Sequence, residues 1–346
     1  MATTDKIINS PHTHSVKSVD AIMRQVIFAL IPGIILSTIY FGIGVLVQCI
    51  LAIVFALLSE ALVLKLSKQK IASSLKNNTA IITALLFALT LSPYTTWWVN
   101  FTGIVFAIVV AKHLFGGLGK NPFNPAMAAY VFVLLCFPLK MAYWPDLSNN
   151  EIELSLSHYL NIIFSGLPIA QELDAISGAT PLTNMKVEIG LMTMVSEIEM
   201  NPLYGALGGK GWEWIAVAYF TGGIFLLITR VIRWQIPVTV IGTVFIISLM
   251  FNAIDSDVYP SALYHLFTGG TMLCAFFIAT DPASSSTTPK GKIIYAFGIG
   301  LLIYIIRTWG SYPDGIAFAI LIMNAMVPLI DYYTRPKPLG KDEFDE

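Results

Sequence analysis

Residues 43–64 read IGVLVQCILAIVFALLSEALVL, and Glu60 is the one charged side chain in the run. A helix rises about 1.5 Å per residue, so a run of this length matches the roughly 30 Å hydrocarbon core of a bilayer. The same reading extends outward on both sides. Taking about 20 mostly apolar residues as one crossing gives ten spans, at 22–41, 43–64, 79–93, 96–113, 124–140, 213–232, 236–252, 262–280, 292–309 and 315–332. The third is short and closes on Ser92-Pro93, which predicts a tilted, broken or partial crossing. Composition agrees: 56% of the residues are hydrophobic, 12% are charged, and the mean hydropathy is +0.73. Soluble domains carry about 25% charged residues, so this chain cannot dress a water-facing surface. The expected fold is an all-α polytopic membrane protein of about ten transmembrane helices.

The spans divide the chain into a tail (1–21), five helices (22–140), a long loop (141–211), five helices (212–332) and a second tail (333–346). Lys and Arg set the orientation, because they accumulate on the cytoplasmic side. With both tails cytoplasmic, only Lys140, Lys186, Lys210 and Arg307 of the 20 basic residues fall outside. The loop 141–211 is then extracytoplasmic, and it is acidic: Asp146, Glu151, Glu153, Glu172, Asp174, Glu188, Glu197 and Glu199. Its weakly apolar pieces near 159–169 and 189–195 are too short to cross and are expected at the interface or packed on the bundle. The first twenty residues lack the basic start, apolar stretch and cleavage site of a signal peptide, so the first span is expected to stay in place.

The two halves echo each other at an offset near 189 residues. Gly33 matches Gly222, Leu91-Ser92-Pro93 matches Thr280-Asp281-Pro282, and Asn124-Pro125-Ala126 sits near Pro313-Asp314-Gly315. The identities are few; the shared order of span lengths carries the echo. Five spans per half is odd, so the halves are expected as two inverted five-helix repeats, with a site at their interface near the short third and eighth spans.

Several functional classes are excluded. The net charge of −1 offers no basic excess for nucleic acid. Cys49, Cys136 and Cys274 lie far apart in apolar runs, and no Cys or His pair has metal spacing. Gly116-Gly117-Leu118-Gly119-Lys120 lacks the phosphate-loop spacing and reads as a tight turn. Gln48, Glu60, Lys112, His113, Asp281, Arg307 and Asp331 stand near span ends, where snorkelling is the ordinary explanation. Asp281 is singled out because it ends a proline-broken span. His265 reads as a satisfied polar residue, and Trp97, Trp98, Trp212 and Trp214 read as interfacial anchors.

One polar stretch stands apart. Ser177-Gly178-Ala179-Thr180, preceded by Asp174 and followed by Pro181, lies in the long loop. Its ordinary reading is a turn before a capped helix. Thr180 also offers a hydroxyl flanked by small residues, which a modifying enzyme could approach. Asp174 to Thr180 resembles the segment on which one bacterial family attaches a flavin through a phosphoester to threonine. Over roughly residues 10–335 the chain is similar to the D subunits of the Rnf ion-translocating electron-transport complex, also through Ser10-Pro11-His12 and Asn121-Pro122-Phe123-Asn124-Pro125-Ala126. It resembles, too, the homologous B subunits of the Na+-translocating NADH:quinone reductase. Those carry a longer N-terminal extension than the twenty residues here.

The resemblance implies FMN bound covalently to Thr180 by a flavin transferase that uses FAD as donor. Ser177, Gly178 and Ala179 would complete the attachment motif, and Asp174 would help to position it in the transferase. It implies, further, a second noncovalent flavin at a place the sequence does not show. The partners implied are membrane lipid and the A, B, C, E and G subunits of the complex. The setting is the bacterial inner membrane, with Thr180 periplasmic and both termini cytoplasmic. The implied activity is that of one component of a translocase, not active alone. It relays electrons between NAD(H) and a low-potential carrier such as ferredoxin, coupled to Na+ or H+ movement. Two other readings stay open on the residues alone: a non-redox inverted-repeat transporter or channel, and a structural scaffold in a larger complex.

Overall fold

The computed structural model describes residues 18–117, 119–148, 154–165 and 176–336. Five helices are long and apolar enough to cross a membrane: α1 (Val19–Phe41), α2 (Gly44–Leu66), α12 (Gln235–Ile254), α15 (Pro289–Trp309) and α16 (Ile316–Thr334). Four more are apolar but shorter: α4 (Thr79–Ala88), α5 (Trp97–His113), α6 (Pro125–Cys136) and α11 (Trp212–Ile228). Between them lie the short helices α3 (Ile71–Leu75), α7 (Pro138–Ala142), α8 (Leu156–Ser165), α9 (Pro181–Gly190), α10 (Val195–Ile198) and α13 (Ala262–Phe267). Residues 271–278 form α14, whose last part, Cys274–Ile278, is π-helical. The outward faces are apolar; Phe28, Ile39, Ile50 and Leu58 are each more than 60% exposed. Apolar surface on that scale belongs in lipid.

Local chemistry explains the ends. Ser18 caps α1 by accepting from the Ala21 amide, and Asn124 caps α6 by accepting from Ala126 and Met127, with Pro125 at the first helical position. The helices approach closely where glycines stand. A Cβ on Gly222 of α11 would meet the Ala29 carbonyl of α1 at 2.1 Å, and a Cβ on Gly33 of α1 would meet the Tyr219 ring of α11 at 2.1 Å. Small residues let membrane helices pack backbone to backbone. Gly33 and Gly222, matched in the sequence echo, thus both stand at the crossing of α1 and α11.

The order of elements in 19–136 recurs in 212–334: a first helix (α1, α11), a second (α2, α12), a short piece (α3, α13), a half-helix (α4, α14), a further helix (α5, α15) and a last one (α6, α16). The eighth predicted span is therefore two pieces, α13 and α14, and the third holds one short helix, α4, set off from α3 just before it. The first break passes through Asn78, with φ 57°, and the second through Gly269, with φ 72°. Left-handed backbone ends a helix, and Gly or Asn adopts it most easily. The second break falls inside its predicted span and the first just before it, while α4 and α14 end at Ala88 and Ile278, shortly before Pro93 and Pro282. The glycine stretch after α5 is a turn, with Gly116, Gly117 and Gly119 all at positive φ.

The long loop packs back on the bundle. In α8, Tyr159 and Ile163 are buried, and the Tyr159 hydroxyl donates to the Phe41 carbonyl at the end of α1 (3.0 Å). Strands β1 (Trp144–Pro145) and β2 (Ser177–Gly178) pair antiparallel, Trp144 opposite Gly178 and Pro145 opposite Ser177. Helix α9 follows at once.

Candidate functional site

Thr180 is the N-cap of α9. Its backbone is extended (φ −64°, ψ 154°), and its Oγ1 accepts from the Thr183 amide at 3.2 Å, with the Thr183 hydroxyl at 2.9 Å. Pro181 takes the first helical position, where a missing N–H costs nothing. The ordinary reading of the motif, a turn into a capped helix, is therefore correct as local structure. It also leaves the Thr180 oxygen at the positive end of a helix. Two tyrosines hold that end. The Tyr264 hydroxyl donates to the Pro181 carbonyl (3.0 Å), and the Tyr204 hydroxyl lies 2.8 Å from Asn184 Oδ1 and 3.3 Å from the same carbonyl. Burial, with Glu188 and Glu199 nearby, pushes the Tyr204 hydroxyl above the usual phenol range, so it stays a donor. Leu182 and Met185 pack on Val195, Ile198 and Tyr264 beneath the helix.

The other motif residues fall where the pairing puts them. Ser177 and Gly178 lie in β2, and a Cβ on Gly178 would come within 3.1 Å of Asp146. Ala179 is exposed and Thr180 half-buried. Asp174 lies outside the described residues.

Thr180 borders a cavity of about 370 Å³. Its walls come from the end of α4 (Leu89, Thr90), from α6 (Met127, Tyr130), from β1 (Trp144), from α11 (Trp212), from the break before α14 (Thr268, Gly269, Gly270) and from the start of α16 (Asp314, Ile316). Trp212 meets Phe41 (ring centroids 4.8 Å apart) and Trp144 (5.1 Å). It is thus part of an aromatic wall. A second cavity, about 480 Å³, lies away from Thr180, bordered by Val19, Thr79, Lys112, Asn121, Asn124 and Asp281. Asp281 Oδ2 there accepts from the Ser284 hydroxyl at 2.8 Å.

Each cavity has a buried cation at the adjacent helix break. Lys112 Nζ lies 2.8 and 2.9 Å from the two Glu60 oxygens and 3.1 Å from Thr79 Oγ1, at the start of α4. Arg307 donates to the His265 carbonyl (2.7 Å), at the end of α13, and to Asp314 Oδ1 (3.2 Å), at the start of α16. Glu60, Lys112 and Arg307 are 3%, 3% and 5% exposed. Snorkelling, the sequence expectation, is therefore wrong for all three; they are paired inside the protein. Gln48, 1% exposed, is likewise internal and bonded to Asn100 (2.8 Å). His265 departs from its reading too: it is buried, and neither ring nitrogen has a hydrogen-bond partner. No group of three or more His, Cys, Asp or Glu with metal-site geometry occurs among the described residues.

Residues 6–340 match the model of the NQR2, RnfD, RnfE family. The chain belongs to the NQR2, RnfD, RnfE family. Its relatives include proteins named as the D component of an ion-translocating oxidoreductase complex. The one from Aliivibrio salmonicida is 46% identical over 343 residues, covering 96% of this chain and 98% of that protein. Those from Vibrio vulnificus (44% over 350 residues, 96% and 99% covered) and Escherichia coli (44% over 347 residues, 97% and 98% covered) are similar to it to nearly the same degree. The match of this NQR2, RnfD, RnfE family chain to its relatives runs through both helical halves and the Thr180 loop alike.

Proposed function

We propose that this chain is a membrane subunit of an ion-translocating oxidoreductase complex and relays electrons through FMN carried on Thr180. The observation that carries the reading is the place of the Thr180 oxygen. It stands at the N-terminus of α9 and opens on a cavity of about 370 Å³. Small-molecule sites run from about 300 to 1,000 Å³ and are mostly apolar with a few placed polar groups. A phosphate on this oxygen would face the positive end of α9 and the Thr183 amide, a favourable setting for an anion. Tyr130, Trp144 and Trp212 offer flat apolar walls for the ring system. FMN, when bound, supplies one-electron redox chemistry; the chain supplies position and electrostatics.

The remaining motif residues have supporting tasks. Pairing of Ser177 and Gly178 with β1 holds the segment against the bundle. Ala179, small and exposed, leaves the flavin transferase room to reach Thr180. Asp174 would position the segment in that enzyme. A second, noncovalent flavin would take the cavity near Lys112, Asn121 and Asn124, which at about 480 Å³ is also of ligand size. The A, B, C, E and G subunits would complete the complex, which would couple electron flow between NAD(H) and ferredoxin to Na+ or H+ movement. The chain would not act alone. The recurring order of elements and the matched helix breaks favour ten crossings in two inverted five-helix repeats. The basic residues favour a bacterial inner-membrane protein with cytoplasmic termini and a periplasmic Thr180 loop.

The test is made with the chain expressed beside a flavin transferase. The denatured chain is expected to fluoresce in a gel, and the tryptic peptide carrying Thr180 to gain the mass of FMN less water. Thr180→Ala is expected to abolish both. A fluorescent band that survives the substitution would assign the flavin to another residue. One observation favours a second reading, a transporter without redox work: the half-helices α4 and α14, with their ends, border both cavities. Solute uptake by flavin-free chain in liposomes would support it.

A further inference from the structure

Lys186 lies on α9, six residues beyond Thr180, or about 9 Å along a helix. Its Nζ stands 3.2 Å from the Ile306 carbonyl, 3.0 Å from that of Arg307 and 3.0 Å from that of Tyr312. An ammonium has three donors, and each finds one acceptor here. Ile306 and Arg307 belong to the last turn of α15, where the Ile306 carbonyl also accepts from the N–H of the C-cap Gly310 at 2.9 Å. A cation at a helix C-terminus is also favoured by the dipole. Among the described residues no carboxylate lies within ion-pair distance of Lys186. Its contact with the backbone collar is therefore its chief polar bond to the bundle.

The collar is not an arbitrary anchor. Arg307, within it, sends its guanidinium to the His265 carbonyl and Asp314, and 3.5 Å to the Thr268 carbonyl. Thr268 and Asp314 border the cavity beside Thr180. The turn that orders the far wall is thus the turn that Lys186 grips. Among the described residues the other holds on α9 include apolar contacts of Leu182 and Met185, which do not fix rotation, and the tyrosine bonds at its first turn. A directional bond further along α9 is what fixes the helix axis, and with it the direction of the Thr180 oxygen.

We propose that Lys186 is a positioning residue: it locks α9 to the end of α15 and so fixes Thr180 over its cavity. This rests on the flavin reading of Thr180, but its test does not depend on that reading alone. In the co-expressed complex, with Cys136→Ser to remove the exposed native thiol, Ala179→Cys carries a nitroxide spin label. With Lys186→Met the label is expected to become mobile, its spectrum narrowing. With Lys186→Arg, which still donates N–H to the carbonyls, it is expected to stay immobilised. In unlabelled complex, Lys186→Met is expected to keep the in-gel flavin of wild type. It should, however, raise iodide quenching of the native flavin and slow electron transfer by about tenfold or more, since ångström-scale misplacement costs that much or beyond. Arginine should recover most of the loss.

Label mobility and electron transfer both unchanged in Lys186→Met would overturn the proposal. So would equal impairment of the Met and Arg variants with reduced assembly, which marks a merely structural lysine. Should the Met variant fail to assemble, Lys186→Gln, which keeps two donors, takes its place, and failure of that too counts against the proposal. Absence of flavin from the wild-type chain sinks the flavin reading instead, and the spin label still decides the role of Lys186.

Discussion

Glu60 and Lys112 show what single residues can and cannot announce. Both are visible as charges in apolar runs, but the sequence places them 52 positions apart, and nothing in either run points to the other. Their bond arises because α2 and α5 pack together beside the start of α4. Breaking a buried pair from one side costs about 3–5 kcal/mol, because the surviving charge is left without a partner; replacing both sides is far milder. Glu60→Gln is therefore expected to lower thermal stability in detergent by that order. Glu60→Gln with Lys112→Met should restore most of it. Additive losses in this double-mutant cycle would show that the two groups do not stabilise each other. The helix cap at Thr180 was legible for the opposite reason. Its chemistry is local: a small-residue run, a hydroxyl and a following proline also specify a helix cap, so motif and geometry coincide. Trp144, Trp212 and Lys186 were not legible as site residues. Their roles depend on α1, α11 and α15, which no sequence window joins to the loop.

Elements were easier to count than to measure. The long spans announced themselves by length, and α1, α2, α12, α15 and α16 follow the apolar runs closely. The short third and eighth spans were recognised as unusual, and α4 and α14 do end just before Pro93 and Pro282, but the further breaks at Asn78 and Gly269 were not foreseen. The physical reason is that a left-handed residue stops a helix as surely as proline does, and leaves no comparable mark in hydropathy. Glycines at helix crossings carry a sharper prediction. Gly222 faces the Ala29 carbonyl, so a methyl group there must push α1 and α11 apart, whereas Gly242 of α12 has nothing within 4 Å. Overpacking costs about 1–3 kcal/mol, and alanine in an open helical position gains about 0.5–1 kcal/mol over glycine. Gly222→Ala is expected to lower the melting temperature and Gly242→Ala to leave it unchanged or raise it. Equal effects would remove the close crossing from the account of how the two halves hold together.

At the scale of the molecule, the cavity beside Thr180 draws its walls from residues 89–90, 127–144, 179–183, 212, 268–278 and 312–317. It exists only because the loop folds back between the two halves, which is why composition and span counting could not foresee it. Charge distribution, by contrast, is a whole-chain property and reads directly: 16 of the 20 basic residues fall on one side of a ten-span topology. On the proposed topology that asymmetry makes a prediction about two exposed positions. Met192 is 92% exposed just beyond α9 and Lys120 stands in the turn after α5; on that topology Met192 would share the Thr180 side and Lys120 the side of the tails. In a Cys136→Ser background, Met192→Cys is expected to react with a membrane-impermeant maleimide in cells whose outer membrane alone is opened. Lys120→Cys is expected to react only after the inner membrane is broken. The reverse pattern would put Thr180 in the cytoplasm, where a free flavin pool could refill an open site. The physical case for a tether, a high local concentration held where no pool exists, would then be lost together with the orientation.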